Sequence, residues 1–200
     1  MRLVIAAVVG TIVVFLWGFF AGGGLGLWSS ELRDLPEGAE AQITSAIQSN
    51  VPSTGSYLFP PRPPVSDGDD GQARQAWQKA AENGPTGILL VRPSGVRPLA
   101  AGRLITGLSL QFAGSLLLAV ILSIAGSTGI GFGGRLVLGL SMVAFAVIAG
   151  VLIPSNQMQL PADWTRSMVG EPAIGWGLAV IAIGIAVRSS RRTGRHHGRP

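Results

Sequence analysis

LITGLSLQFAGSLLLAVILSIA, residues 104–125, is the stretch on which the fold turns. It holds no charged side chain. Its length suits a helix crossing a bilayer, which needs about 20 mostly apolar residues. Residues 3–20, 136–153 and 173–187 read the same way, although the last is short and must draw its flanks into the interface. The chain of 200 residues is 48% hydrophobic and 12% charged, against about 25% charged in a soluble domain. The expected fold is integral membrane α-helical, a four-span bundle with a small extracytoplasmic α/β domain inserted between spans 1 and 2. The boundaries follow: 1–28 for the first helix and its flank, 29–103 for the domain, 104–188 for spans 2–4, and 189–200 for a basic cytoplasmic tail.

Residues 29–103 are too long for a mere connector, because loops beyond about 12–15 residues usually carry structure of their own. Asp34, Pro36, Glu37 and Glu40 suit a helix start. Ala39, Ile43, Ala46 and Ile47 then share one helical face. Residues 55–60, Gly-Ser-Tyr-Leu-Phe-Pro, read as a short strand bounded by breakers, and 60–64 as a proline-rich linker. Asp69 or Asp70 starts a second helix with Ala73, Ala76, Trp77, Ala80 and Ala81 on its apolar face. Asn83-Gly84-Pro85 ends it. Gly87–Val91 is a second strand, apolar throughout. Two amphipathic helices are thus expected to cover two strands, at a size where a core is marginal.

Orientation follows from the positive-inside rule. Arg188, Arg191, Arg192, Arg195 and Arg199 crowd the last residues without an acid. All ten acids lie in two segments, 31–82 and 163–171. Both termini are therefore expected in the cytoplasm of a bacterial cell, in the inner membrane, although Arg92, Arg97 and Arg103 oppose this placement. The first run exceeds the roughly 7–15 residues of a signal peptide's apolar region and lacks a good cleavage site, so it reads as an uncleaved anchor. Trp17 and Trp28 fall where an interfacial aromatic belt belongs. The stretch 154–172, with Trp164, Arg166 and Glu171, reads as an interfacial connector.

The sequence argues against several chemistries. It has no cysteine, which removes disulfides, thiolate nucleophiles and zinc–thiolate sites. His196 and His197, the only histidines, sit in the basic tail, across the expected membrane from every acid. Asp67, Asp69 and Asp70 occupy a Gly-rich turn that implies no pocket. The glycines between 126 and 134 lack the strand and Lys-Ser/Thr of a phosphate loop. No Asp, Glu, Lys or His lies inside any of the four runs, against an ion-coupled pump. No catalytic, cofactor or metal residue is assigned; the net charge of +5 hides an asymmetry, and the basic tail is read as a lipid-facing end rather than a nucleic-acid module.

The remaining candidates concern contacts. Gly18, Gly22 and Gly26 repeat every four residues, and Ala146 and Gly150 form a shorter pair. Such small-residue ridges let helices approach closely, and packing within the bundle is preferred to an oligomer contact. Gln111, with Thr106, Ser109 and Ser115 nearby, is read as an interhelical hydrogen-bonding group. Tyr57 and Phe59, together with Trp77, are candidates for a partner surface. The expected function is a non-enzymatic envelope interaction or accessory protein whose partners are the lipid bilayer and another membrane or envelope protein. The alternative is a small transporter or lipid-handling protein with a neutral pathway near Gln111.

Leu35-Pro36-Glu37, Gly55-Ser56-Tyr57-Leu58-Phe59-Pro60, Trp77 and the run from Asn83 to Leu90 also carry a likeness. With the order of spans, they make the chain resemble a group of uncharacterised bacterial inner-membrane proteins over residues 3–187. The resemblance implies one span, a polar domain and three spans. It implies no activity and carries over no functional residue.

Overall fold

The computed structural model describes residues 1–24, 33–64, 71–97 and 100–187. Gly26, Trp28, the aspartates of 67–70, the two histidines and the tail arginines lie outside them. The chain divides into two compact units, Met1–Arg33 with the part from Leu99 onward, and Asp34–Pro98.

The larger unit is helical. It consists of α1 (Arg2–Phe19), α4 (Ala101–Ser127), α5 (Phe132–Val147), α6 (Ile153–Gln157) and α7 (Ala162–Ala186). A π-helical turn, Phe20–Gly24, extends α1, and another, Ile148–Leu152, joins α5 to α6. Four helical stretches are thereby long and apolar enough to cross a membrane: Arg2–Gly22, Ala101–Ser127, Phe132–Gln157 and Ala162–Ala186.

α1 packs against both α4 and α7, and α5 packs on α7. Ala6, Leu118, Ala119, Leu122, Ala179, Val180 and Ile183 form the buried core. Alanine supplies much of this seam because a small side chain lets helix backbones close. The third stretch is peripheral, with only 6% of its apolar window buried.

Two expectations are corrected here. The fourth helix begins at Ala162, eleven positions before the apolar run, and 154–172 is not a flat connector. α6 and a short turn through Gln159 (φ 51°) make the link instead. Pro161 precedes α7, and Asp163 in its first turn complements the positive end of the helix dipole. Pro172 then lies inside the helix. As a result α7 also takes in Arg166 and Glu171, so the apolar run understated the polar content of the helix.

The smaller unit contains α2 (Ala39–Asn50), β1 (Gly55–Phe59), α3 (Gly71–Asn83) and β2 (Gly87–Val91). β1 and β2 pair antiparallel, with Gly55 opposite Val91, Tyr57 opposite Leu89 and Phe59 opposite Gly87. α2 starts later than Asp34 suggests. Pro36 accepts a bond from Ala39 in a turn, and Gly38 at φ 80° takes the cap position with no side-chain cap. That left-handed backbone suits glycine. α3 ends at Asn83, whose side chain bonds the Lys79 carbonyl, and Gly84 N–H closes on Ala80.

The expectation that two helices bury the strands also fails. Neither helix has a buried residue, and neither strand has a fully buried one among those described. α2 offers two large apolar side chains, Ile43 and Ile47, and Ile43 is exposed. α3 offers Trp77 and alanines. Two strands and so few large side chains do not enclose a core.

Candidate functional site

Among the described residues no group of three His, Asp or Glu side chains converges to hold a metal ion. Three places combine polar chemistry with defined geometry: an aromatic corner in the smaller unit, a polar seam in the helical unit, and a buried arginine at one end of that unit.

The corner forms where β1 ends. Phe59 and Gly87 face each other across the strands, and the Phe59 ring fills the space a Cβ on Gly87 would occupy, at 2.6 Å. A side chain at position 87 would expel the ring. The Phe59–Pro60 peptide is cis. The Pro60 carbonyl accepts the indole N–H of Trp77 at 3.2 Å, which ties α3 to the strand end. The Arg62 guanidinium lies 5.8 Å from the Trp77 ring centroid, within cation–π range. Tyr57 is turned to the other strand end, where its hydroxyl donates to the Ser53 carbonyl at 2.8 Å and contacts the Ser53 hydroxyl at 2.9 Å. Tyr57 and Trp77 are half-buried, Phe59 is 41% exposed, and Arg62 is exposed. Phe59 and Trp77 thus meet around Pro60, with Tyr57 on the same sheet face. Arg62 is the member that sequence reasoning missed; its place in the proline-rich segment just after the strand was the available signal.

The seam runs along α4. Ser115 is fully buried, and its Oγ has no hydrogen-bond partner; neither has the buried Oε1 of Gln111. The interhelical bond expected of Gln111 is therefore not made through its carbonyl oxygen. Thr106 and Ser109 are exposed and do not join it. Across from Ser115, a Cβ on Gly10 would sit 2.8 Å from the hydroxyl and 2.5 Å from Ile183 Cδ1. α1, α4 and α7 close here with no space to spare. A Cβ on Gly114 would likewise stand 2.6 Å from the Trp176 ring, one on Gly139 2.6 Å from Val180, and one on Gly175 2.8 Å from Trp17.

The predicted ridge residues are placed differently. A Cβ on Gly18 would meet Glu171 Oε1 at 3.4 Å, so α1 and α7 are near one another there. Gly22 and Gly150 have open space where a Cβ would stand, and Ala146 is exposed. Among the described residues, Gly22 and Gly150 therefore make no close helix approach. Spacing alone marks small residues without saying which side of the helix meets a neighbour.

Trp17 sits beside Gly18. Its indole N–H donates to the Glu171 carbonyl at 3.2 Å, next to Pro172. Pro172 itself has no N–H to offer the Met168 carbonyl, while the indole donates to a different carbonyl, that of Glu171. At the start of α7, Asp163 accepts from Arg166 at 2.6 Å and from Arg33 at 3.1 Å. Both arginine side chains are well exposed, so these pairs contribute at most about 1 kcal/mol each.

Arg135 lies in the first turn of α5. It is 4% exposed. Its Nη1 donates to the Val187 carbonyl at the end of α7, at 2.9 Å, and its guanidinium lies 5.9 Å from the Phe132 ring centroid and close to Gly126. A cation at the negative end of a helix is favourable, the more so when partly desolvated. The end of α4 lies alongside, since Gly126 is in its last turn. The Nε of Arg135 is buried without a partner.

Comparison with protein-family models, with curated proteins and with solved structures found no match to this chain. The class follows from the helices alone: mostly helical, with four helices suited to membrane crossing and a small two-stranded sheet.

Proposed function

We propose that this chain is a non-enzymatic, multi-pass protein of the bacterial inner membrane whose 34–98 unit binds another envelope protein, with both termini in the cytoplasm. The observation that carries this reading is the aromatic corner. Phe59, Pro60, Arg62 and Trp77 collect at one end of a sheet that has no fully buried side chain among its described residues. Aromatic side chains and arginine are the types that anchor protein interfaces, and a rigid pair held by a main-chain bond loses little entropy on docking. The test is photo-crosslinking in native membranes from position 59 and from position 45, an exposed site on α2. A discrete protein adduct at 59 and none at 45 is expected. Failure at 59, together with recovery of a lone monomer from several gentle detergents, refutes the reading.

The second reading, a lipid-handling or transport protein with a neutral pathway at Gln111, draws support from the two unpartnered acceptors there. The closure at Gly10 weighs against it, because a pathway needs room beside Ser115. A ligand-dependent thermal shift in a lipid or metabolite panel, abolished by Gln111→Leu, would favour it over the first.

A further inference from the structure

The pleat of the β1–β2 pair separates its side chains into two sets. Gly55, Tyr57, Phe59, Gly87, Leu89 and Val91 share one face, and Ser56, Leu58, Ile88 and Leu90 share the other. The first set belongs to the aromatic corner. The second is a different surface: Leu90 is 74% exposed, Leu58 is 40% exposed, and Ser56 is exposed beside them. Arginines border both ends of this sheet. Arg62 follows β1, and Arg92 and Arg97 follow β2, all three exposed. Among the described residues of this unit the acids are Asp34, Glu37, Glu40 and Glu82, none of them in a strand.

Chain length limits where that face can go. Leu90 precedes the first residue of α4 by eleven positions, a reach of at most about 40 Å when fully extended. If α4 crosses a bilayer, the face is held permanently within that distance of its surface. Arg92, Arg97 and Arg103 lie along the same tether, at or before the first turn of α4. These are the three arginines that oppose the assigned orientation, and a headgroup role on the outer side accounts for them there.

We infer that the Ser56–Leu58–Ile88–Leu90 face docks on the bilayer surface, its leucines entering the interface and Arg92 and Arg97 lying on anionic phospholipid headgroups. Burial of an exposed leucine and contact of an arginine with anionic lipid are each favourable and act together here. A tethered face needs little affinity, since its effective concentration at the surface is high. The inference rests on the reading that α4 crosses the membrane, and it leaves the aromatic corner on the opposite sheet face free for a protein partner.

The experiment uses the whole chain in nanodiscs containing about 30% anionic lipid. The natural sequence has no cysteine, so an environment-sensitive fluorophore on Ser56→Cys reports the face and the same probe on Ser45→Cys serves as control. Docking predicts blue-shifted emission at 56, quenched by nitroxide-labelled lipid at least about twofold more than at 45. Removing Arg92 and Arg97 together as glutamines, both on exposed positions, should lower the docked-to-undocked ratio by about fivefold per arginine. Discs without anionic lipid should show the same loss. Leu90→Ser should also reduce the quenching. Emission at 56 that matches 45 overturns the inference. So does a blue shift without nitroxide quenching, because a protein surface or a second copy would then cover the face. Quenching indifferent to the arginines, to anionic lipid and to Leu90 overturns it as well.

Discussion

Gly10→Ala is the sharpest test of the helical packing. A methyl group there would stand 2.5 Å from Ile183 Cδ1, 2.8 Å from Ser115 Oγ and 2.9 Å from Ile183 Cγ1. Ordinary carbon contacts begin near about 3.5 Å, so the overlap approaches 1 Å. Ile183 and Ser115 are fully buried, so either must shift against its own neighbours to make room. Overpacking of this kind costs about 1–3 kcal/mol, and an overlap this deep belongs at the upper end. Replacing glycine by alanine in a helix gains back about 1 kcal/mol. The net expectation is a loss of about 2 kcal/mol. Gly22→Ala, in open space, keeps the gain without the clash and should be neutral or slightly stabilising. Ile183→Val removes the nearest atom and costs about 0.5–1.5 kcal/mol alone, yet in combination with Gly10→Ala it should cost less than the sum of the two. Unfolding in mixed micelles, followed by tryptophan fluorescence, measures all four proteins. Equal stability for Gly10→Ala and Gly22→Ala, or additive behaviour with Ile183→Val, would refute the close approach of α1, α4 and α7.

Arg135→Ala should destabilise the chain by about 2–4 kcal/mol in the same assay, because it removes a charge-assisted bond to a helix end and the packing of a long side chain. Arg135→Lys should recover part of that loss; full tolerance of alanine would mean that the Val187 bond does not hold α5 to α7. Ser115→Ala should be neutral or stabilising by up to about 1 kcal/mol, since a buried hydroxyl without a partner is replaced by an apolar group. A clear loss would reveal a hydrogen bond at that hydroxyl. For topology, single cysteines at Ser53 and Gln157 should react with an impermeant reagent on whole cells while Ser127→Cys does not. Gln157 is the better probe because neighbouring Ser155 is buried. Labelling at 127 alone would invert the protein.

Much of the helical unit was legible in the order of residues. Apolar runs of 104–125 and 3–20 without charge admit few solutions, because backbone polar groups in hydrocarbon must be satisfied within the segment. The strand candidates at 55–60 and 87–91 and the stop at Asn83-Gly84-Pro85 were equally plain, since β-branched and aromatic clusters bounded by Gly and Pro encode local geometry. The polar start of α7 was not, because hydropathy sees side chains whereas a helix continues wherever its ladder is satisfied, through Pro172 included.

Which small residues matter was beyond the chain order. Gly18 and Gly22 belong to the spaced ridge, yet Gly22 stands in open space, while Gly10, Gly114, Gly139 and Gly175 make the close approaches. A ridge becomes a contact only when a second helix lies on that side, and the arrangement of helices is a property of all their surfaces together. Arg135 shows the same limit: nothing in the order of residues marks it for burial, and only the ends of α4 and α7 meeting beside it make it a buried cation. Likewise two amphipathic helices beside two strands promise a core in sequence, yet Ile43 and Leu90 remain at the surface. Amphipathic pattern states which face seeks cover, and whether enough apolar volume exists to supply it is a sum over the whole unit.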